Sequence, residues 1–565
     1  MRIAAWLLLG VFGDDASSPQ GEPALDPPTL RSLGLSWVVK GDANRNAKIE
    51  VEYRKPGAAA WKKGPPLFRV EKGFPKDLPE GGLFAGSLVL LDPNSAYEIR
   101  LKLTDPDGGS VEKTLKAATI AEPELPPGGP VRHVAPGNGG GAGTAADPYK
   151  GLAEADSRAK PGDVFLLHAG SYGGLFTVKR SGESGKPIVW RGAGDGDAVI
   201  GGADAGREGI RVDGAHDVWF ERLTVRNKDY AFTAHEAAGI VVRRCRFERV
   251  KFGINNGRNP RDTVRGWWVS DNVIEGVSPW PRPDDKLDEN EWRGIQLTGA
   301  GHVIAWNRIH HFKDAIDTFE SVRCAAIDIH NNDVSELNDD GIELDYAQRN
   351  VRCFENRIVN VHCGISTQPV LGGPAYVFRN AIYNPVNETF KMHVNPSGVL
   401  YYHNTSVRKG MAMQLFTPDS VRNSVSRNNL FVGTSGPFAV ENTAKMINCD
   451  FDYDGFGGGP WNLFFKWNEV RYPTFEEMRA KAPVYRHAVR LDPSALFASG
   501  AAAPADPHRP ADRAVDLRLK PGCAAIDAGE ALPGFNDGFA GKAPDLGAYE
   551  LGQEIPLYGP RPEKK

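Results

Sequence analysis

A chain of 565 residues is too long for one ordinary hydrophobic core, although a repeating solenoid can grow past that limit. Its 64 glycines lack the three-residue period of collagen, and 26 Phe with 12 Trp argue against disorder. A formal charge of -4 leaves no nucleic-acid footprint, and local pairs such as Arg243-Arg244 sit in strand-like text as solvent-facing residues.

The chain opens Met1-Arg2, continues with an apolar run from Ile3 to Phe12, and turns polar at Gly13-Asp14-Asp15. A basic residue before a short apolar run reads as a secretory signal, and the run is too short to span a bilayer. Residues 1–24 are therefore expected to be a signal-like leader, no integral membrane segment is expected, and the protein is expected to be secreted, periplasmic or at the cell surface. Six cysteines (Cys245, Cys324, Cys353, Cys363, Cys449, Cys523) are too dilute for a disulfide scaffold and are expected to be structural.

Residues 25–121 form a separate module. Leu35-Ser-Trp37, Ile49-Glu-Val-Glu-Tyr and Tyr97-Glu-Ile-Arg-Leu-Lys-Leu alternate with a period of two, the text of a half-buried antiparallel sheet with Trp37 in its core. Leu91-Asp-Pro-Asn-Ser-Ala-Tyr97 leads into a late strand by a turn. The module resembles the fibronectin type III family, which implies a spacer or accessory without catalytic groups. A chain beginning near Pro130 is accordingly expected to keep its activity if it folds. Glu122-Pro-Glu-Leu-Pro-Pro-Gly-Gly then marks a linker over residues 122–138.

From residue 139 the text changes. A short helix-like segment, Gly151 to Arg158, precedes Pro161-Gly-Asp-Val-Phe-Leu-Leu-His-Ala-Gly and Gly185-Lys-Pro-Ile-Val-Trp-Arg-Gly. Between Gly239 and Gln414 similar segments recur at about one solenoid coil: Gly294-Ile-Gln-Leu, Ala315-Ile-Asp-Thr, Gly341-Ile-Glu-Leu and Gly364-Ile-Ser-Thr. Ile295, Ile316, Ile342 and Ile365 are expected to stack inward, and Asn307, Asn332, Asn356 and Asn380 to serve the turns between sheets. These stretches, with Pro521-Gly-Cys-Ala-Ala-Ile-Asp-Ala-Gly529 and Pro544-Asp-Leu-Gly-Ala-Tyr-Glu550, resemble the secreted right-handed parallel β-helix proteins that act on polysaccharides. The resemblance implies an all-β chain: a small antiparallel β-sandwich, then a right-handed parallel β-helix of roughly ten coils over residues 139–565. That scaffold hosts hydrolases, lyases and adhesins alike.

Aligned on the isoleucines, the next position reads Gln296, Asp317, Glu343, Ser366 and Lys391, and two positions further Phe319, Asp345, Gln368 and His393. Both columns are expected on the outer face, with Asp314, Asp339 and Asp340 at the turns before the strands. Six carboxylates in similar register repel one another unless they have work to do. Three uses stay open: a carboxylate pair for glycosidic hydrolysis, a calcium cage with an adjacent base, and a solvated face on a non-catalytic glycan-binding solenoid.

The hydrolase reading uses Asp317 and Glu343 as the core pair, with Asp345 or Asp340 tuning or replacing one of them, and no cofactor. The lyase reading places calcium on Asp317, Glu343 and Asp345, with Lys391 and Arg349 as base and assistant. Substrate contacts are expected from Asp314, Gln296, Arg293, Arg349, Lys391, His393, Tyr346, Trp280 and Trp292. Trp280 lies within the long insertion from Asn255 to Trp292, which carries a charged run from Asp284 to Glu291. Asp339-Asp340 resembles one element of the polygalacturonase-type hydrolases, and Glu343, Asp345, Lys391 and Arg349 resemble in type the calcium-using chondroitinase-like and alginate-lyase-like enzymes. Neither family is assigned. The expected partner is an oligosaccharide or polysaccharide met by a monomer.

Overall fold

The computed structural model describes residues 15–71, 82–202, 206–257, 263–281, 290–318 and 324–563. The signal-like run Ile3 to Phe12, Phe319 and most of the charged run from Asp284 lie outside the described residues.

Two antiparallel sheets open the chain. One is built around Leu33–Lys40 and Gly82–Leu88, the other around Lys48–Arg54, Ala96–Thr104 and Ser110–Ala118. Alternation buries one residue in two, as the Lys48–Arg54 strand shows, and Trp37, Ile49, Val51, Phe84, Ile99 and Leu101 share one core. The Tyr97 hydroxyl accepts the Asp92 amide at 3.0 Å, pinning the turn that enters its strand.

The rest is a parallel β-helix of about eleven turns, close to the roughly ten expected, dominated by sheets of 16 and 20 strands. The helix Leu152–Arg158 stands at its opening and buries Leu152 and Ala155. Inside, Ile295, Ile316, Ile342, Ile365 and Phe390 face one another in register and are fully or nearly fully buried. No described helix is long and apolar enough to cross a membrane.

The asparagine ladder extends past the four positions legible in the sequence. It runs Asn272, Asn307, Asn332, Asn356, Asn380, Asn404 and Asn429, and ends on Asp454. Each side-chain oxygen beyond the first accepts both the backbone amide and the side-chain amide of the residue one coil back, as Asn356 does from Asn332 at 3.0 Å. Each Nδ2 also donates to a carbonyl, Ile329 in the case of Asn356. An alanine there would strand donors in a dry interior, which is why the amide repeats.

The amino-terminal module is not a loose spacer. Asp328 and Arg352, both fully buried on the 16-stranded sheet, pair at 2.5 Å, and Thr29 and Ser32 of the module donate to the other Asp328 oxygen at 2.6 and 3.2 Å. Arg352 also donates to the Ser87 hydroxyl, and the Tyr376 hydroxyl accepts the Ser87 amide at 2.9 Å. Leu30 packs on Val241, Trp268 and Val303. Removing the module would uncover this apolar patch and a buried ion pair, so a chain begun near Pro130 would fold at that cost. Trp267 and Trp268 are both buried, but Trp267 lies in the solenoid core and Trp268 beneath the module.

Candidate active site

The acidic column forms as the alignment placed it. On the 20-stranded sheet Gln296 faces Asp317, Asp317 faces Glu343, Glu343 faces Ser366 and Ser366 faces Lys391, each pair one coil apart. What differs is burial. Asp314, Asp317 and Asp340 have no exposed surface, while Gln296, Asp339, Glu343 and Asp345 keep between 6% and 9%. This is a buried row and not a solvated acidic face.

Asp314, Asp339 and Asp340 are also not turn residues. They lie within the strands Asp314–Asp317 and Asp333–Glu343. The register slips between Leu337 and Asp340, where Leu337 faces Val361 but Asp340 faces Cys363. One extra residue forms a β-bulge, which re-aims a side chain that would otherwise point away. Consecutive aspartates therefore reach the same ammonium: Lys391 Nζ is 2.7 Å from Asp340 and 3.5 Å from Asp339. The bulge leaves a trace in the sequence. Nine residues separate Asn307 from Ile316 and Asn356 from Ile365, but ten separate Asn332 from Ile342.

Two cations organise the row. Arg293 Nε lies 2.8 Å from Asp317 and 4.0 Å from Glu343, and its NH2 is 3.5 Å from Asp314. Gln296 Nε2 adds a second donor to Asp317 at 2.8 Å. Asp317 is thus held as a compensated carboxylate. Lys391 reaches back across the short Ser366 side chain to Asp340, two coils away, which settles its distance from the acids. Despite burial, the facing carboxylates hold both cations above their ordinary ranges.

The other acids are pushed the opposite way. Burial, then the charges of Asp314, Asp317, Asp345 and Asp340, hold Glu343 well above the usual carboxylate range. Burial also raises Asp314, raises Asp340 to about 6, and, with Asp340, raises Asp345 to about 8. Asp345 Oδ1 accepts Ser366 Oγ and the Gln368 amide, both at 2.7 Å. Asp314 Oδ2, Asp340 Oδ1 and Glu343 Oε2 are buried acceptors without a hydrogen-bond donor. Acceptors with no donor are costly in a dry site, and a retained carboxyl proton relieves that cost.

Two expected contacts, Arg349 and His393, fall elsewhere. Arg349 pairs with Asp26 of the module at 2.8 Å, so its guanidinium is committed away from the row. His393 pairs with Glu388 at 3.1 Å and not with the acids. Tyr346 sits half-buried in a left-handed turn, its amide bonded to the Pro369 carbonyl. Trp292 packs against the solenoid core, its carbonyl accepting the Asp314 amide. Trp280 lines a cavity of about 290 Å³ with Leu337, Asn338, His362, Asn387 and His508. His362 and Asp339 each bring a ligating atom within 4.8 Å of the other, so the cavity adjoins the row. Asp339, His362, Asn387 and His508 were not read as a recess, because bulge and tail meet only in three dimensions.

Among the described residues, carboxylate oxygens of Asp314, Asp339 and Asp340 lie within 4.8 Å of one another, a spacing that could hold a hard cation. Lys391 already supplies positive charge to two of those three.

No family model matches the chain. A 105-residue stretch is 33% identical to the uncharacterized protein YwoF of Bacillus subtilis (strain 168), covering 18% of this chain and 22% of that protein. The chain thus matches about a fifth of that relative's length. Among solved structures, the complex of XylC with xylose aligns over 63% of this chain and 82% of its own, at 12% identity and a TM-score of 0.37. A rhamnogalacturonan lyase aligns over 58% and 87%, at 13% identity and a TM-score of 0.32.

Proposed function

We propose that the chain is a glycoside hydrolase acting on a complex or uronate-containing glycan, with Glu343 as proton donor and Asp317 as its ionised partner. The observation that carries this reading is a pair of carboxylates on adjacent coils with unequal partners. Arg293 and Gln296 compensate Asp317, while burial keeps the proton on Glu343. Glu343 protonates the leaving oxygen; Asp317 attacks the anomeric carbon or activates water. Attack by Asp317 followed by water would give retention and direct attack of activated water would give inversion, so the anomeric configuration of the first-formed product distinguishes the two. Trp280 offers a stacking face for a sugar ring beside the row, and His362, Asn387 and His508 offer polar contacts.

β-Elimination by Lys391 is the weaker reading, because an ammonium held by Asp340 and Asp339 is a poor base. Incubation with a glycan panel, with and without chelator, separates the two. New reducing ends without ultraviolet-absorbing unsaturated products support hydrolysis. Chelator-sensitive unsaturated products would select a calcium-dependent lyase. Binding without turnover, unchanged in Asp317→Asn and Glu343→Gln, would select an adhesive solenoid. Azide rescue of Asp317→Ala would distinguish a reacting carboxylate from one that only orients Arg293. A polymer substrate fits an exported protein, which cell fractionation tests.

A further inference from the structure

The outer face of the 16-stranded sheet carries a second polar cluster, remote in register from the acidic row. Arg191, Glu221 and Arg243 stand on successive coils. Arg222 and Arg244 follow in left-handed conformations, with φ of 52° and 55°, at the turns leaving two of those strands. The linker at Glu122–Leu125 and the tail at Arg561–Glu563 complete a cleft of about 530 Å³.

The ion pairs in this cleft are unequal. Glu221, nearly buried, bonds Arg243 and lies 3.7 Å from Arg191. Arg561 is anchored by Asp271 at 2.8 Å and Glu122 at 2.7 Å. Arg222 and Arg244 are left with one shared acid, Glu563, at 2.7 and 3.8 Å. That glutamate side chain is about half exposed, so a solvent-accessible carboxylate lies between two guanidinium groups. Burial, opposed by Glu221 and added to by Arg222 and Arg243, holds Arg191 below its ordinary range.

We propose that this cleft is a second glycan-binding site, which takes the carboxylate of a uronic-acid residue where Glu563 now lies. Guanidinium groups match a planar carboxylate in geometry as well as charge. A sugar acid is favoured over a small inorganic anion because the cleft meets, at Pro123, a groove of about 840 Å³ lined by Trp219, Trp268 and His216. Trp219 lies 5.6 Å from the Arg243 guanidinium, so an indole adjoins the arginine cluster. No bond is made or broken there, and the site stands whether or not the acidic row hydrolyses glycans. Glu563 would then act as an internal competitor that weakens capture until a polymer with many carboxylates displaces it.

The test is equilibrium binding of an oligogalacturonate at low salt, in a Glu343→Gln background so that turnover cannot interfere. Glu563→Ala should bind about tenfold more tightly than its parent, and Arg222→Ala/Arg244→Ala should lose most of that affinity. Arg222→Lys, which keeps the charge but not the fork, should fall between, and guards against a double variant that fails to fold. Added salt should weaken the interaction. A neutral xylo-oligosaccharide should not bind this cleft, and dextran sulfate shows whether a sulfate substitutes for the carboxylate. Unchanged affinity in Glu563→Ala, full affinity in the double arginine variant, or preference for sulfate over the uronate would each overturn the proposal.

Discussion

Asp328 and Asp340 lie twelve positions apart in the sequence, and the two aspartates meet opposite fates on the two main sheets. Asp328 is fully buried, and every direction around it is answered: Arg352 at one oxygen, Thr29 and Ser32 at the other. On the other sheet, Asp314 and Asp340 are as deeply placed and Glu343 nearly so, yet each keeps an oxygen without a donor. Equal burial therefore conceals different purposes. A saturated carboxylate joins parts of the fold, and an unsaturated one stores a cost that packing does not require.

The sharpest way to break this contrast is to neutralise each face in turn. Glu343→Gln should fold and lose about 10²- to 10⁴-fold in glycan turnover, and Asp317→Asn should fall comparably. Normal turnover in the folded variants, measured by reducing-end release, would move the chemistry elsewhere. On the opposite face, Arg352→Met strands Asp328 and should cost about 3–5 kcal/mol of stability, with residual folded protein keeping the wild-type pH profile. Denaturant titration beside kcat/KM measurement reads both. A variant that loses activity without stability would mean that the docked module reaches the chemistry.

The same contrast explains what the sequence could tell. The isoleucine and asparagine ladders were legible because each coil repeats the same demand, and register then put Asp317 opposite Glu343. Burial of that column was not legible, since it depends on loops and on a bulge seen only as one surplus residue before Ile342. Arg349 was misplaced for another reason. Its charge suited the acids nearby in sequence, but Asp26, more than three hundred residues earlier, holds it. The module's polar clamp has no local signature, because Thr29, Ser32 and Ser87 are ordinary loop and strand residues until Asp328 and Arg352 meet them.

Between the two faces runs the asparagine ladder, saturated like the module interface but without charge. Asn356→Ala removes the acceptor for two Asn332 donors and the donor to Ile329, and should cost about 1–3 kcal/mol. The loss should appear in the denaturation midpoint and leave KM unaltered. A larger loss of activity than of stability would tie the ladder to the site more directly than its position does.

The smallest effect is expected where the ladder ends on an acid. Asp454 Oδ1 accepts the Asn429 amide and Nδ2 at 2.8 and 2.9 Å, and its other oxygen accepts Ser426 Oγ at 2.5 Å. Burial raises its carboxyl to about 7, against a value near 3.9 in an unfolded chain. Between those values the folded state holds a proton that the unfolded state has lost. The contribution of this group to stability is therefore complete below about pH 4 and is lost as pH rises through about 7. Asp454→Asn keeps the acceptor for Asn429 and removes the titration; the Ser426 hydroxyl can rotate to accept from the new amide. The Tm of the variant relative to wild type should be lowest near pH 4, rise to about pH 7 and then level. A difference that stays constant across this range would show that Asp454 is already ionised in the fold, and that the ladder ends on a charge as well satisfied as Asp328.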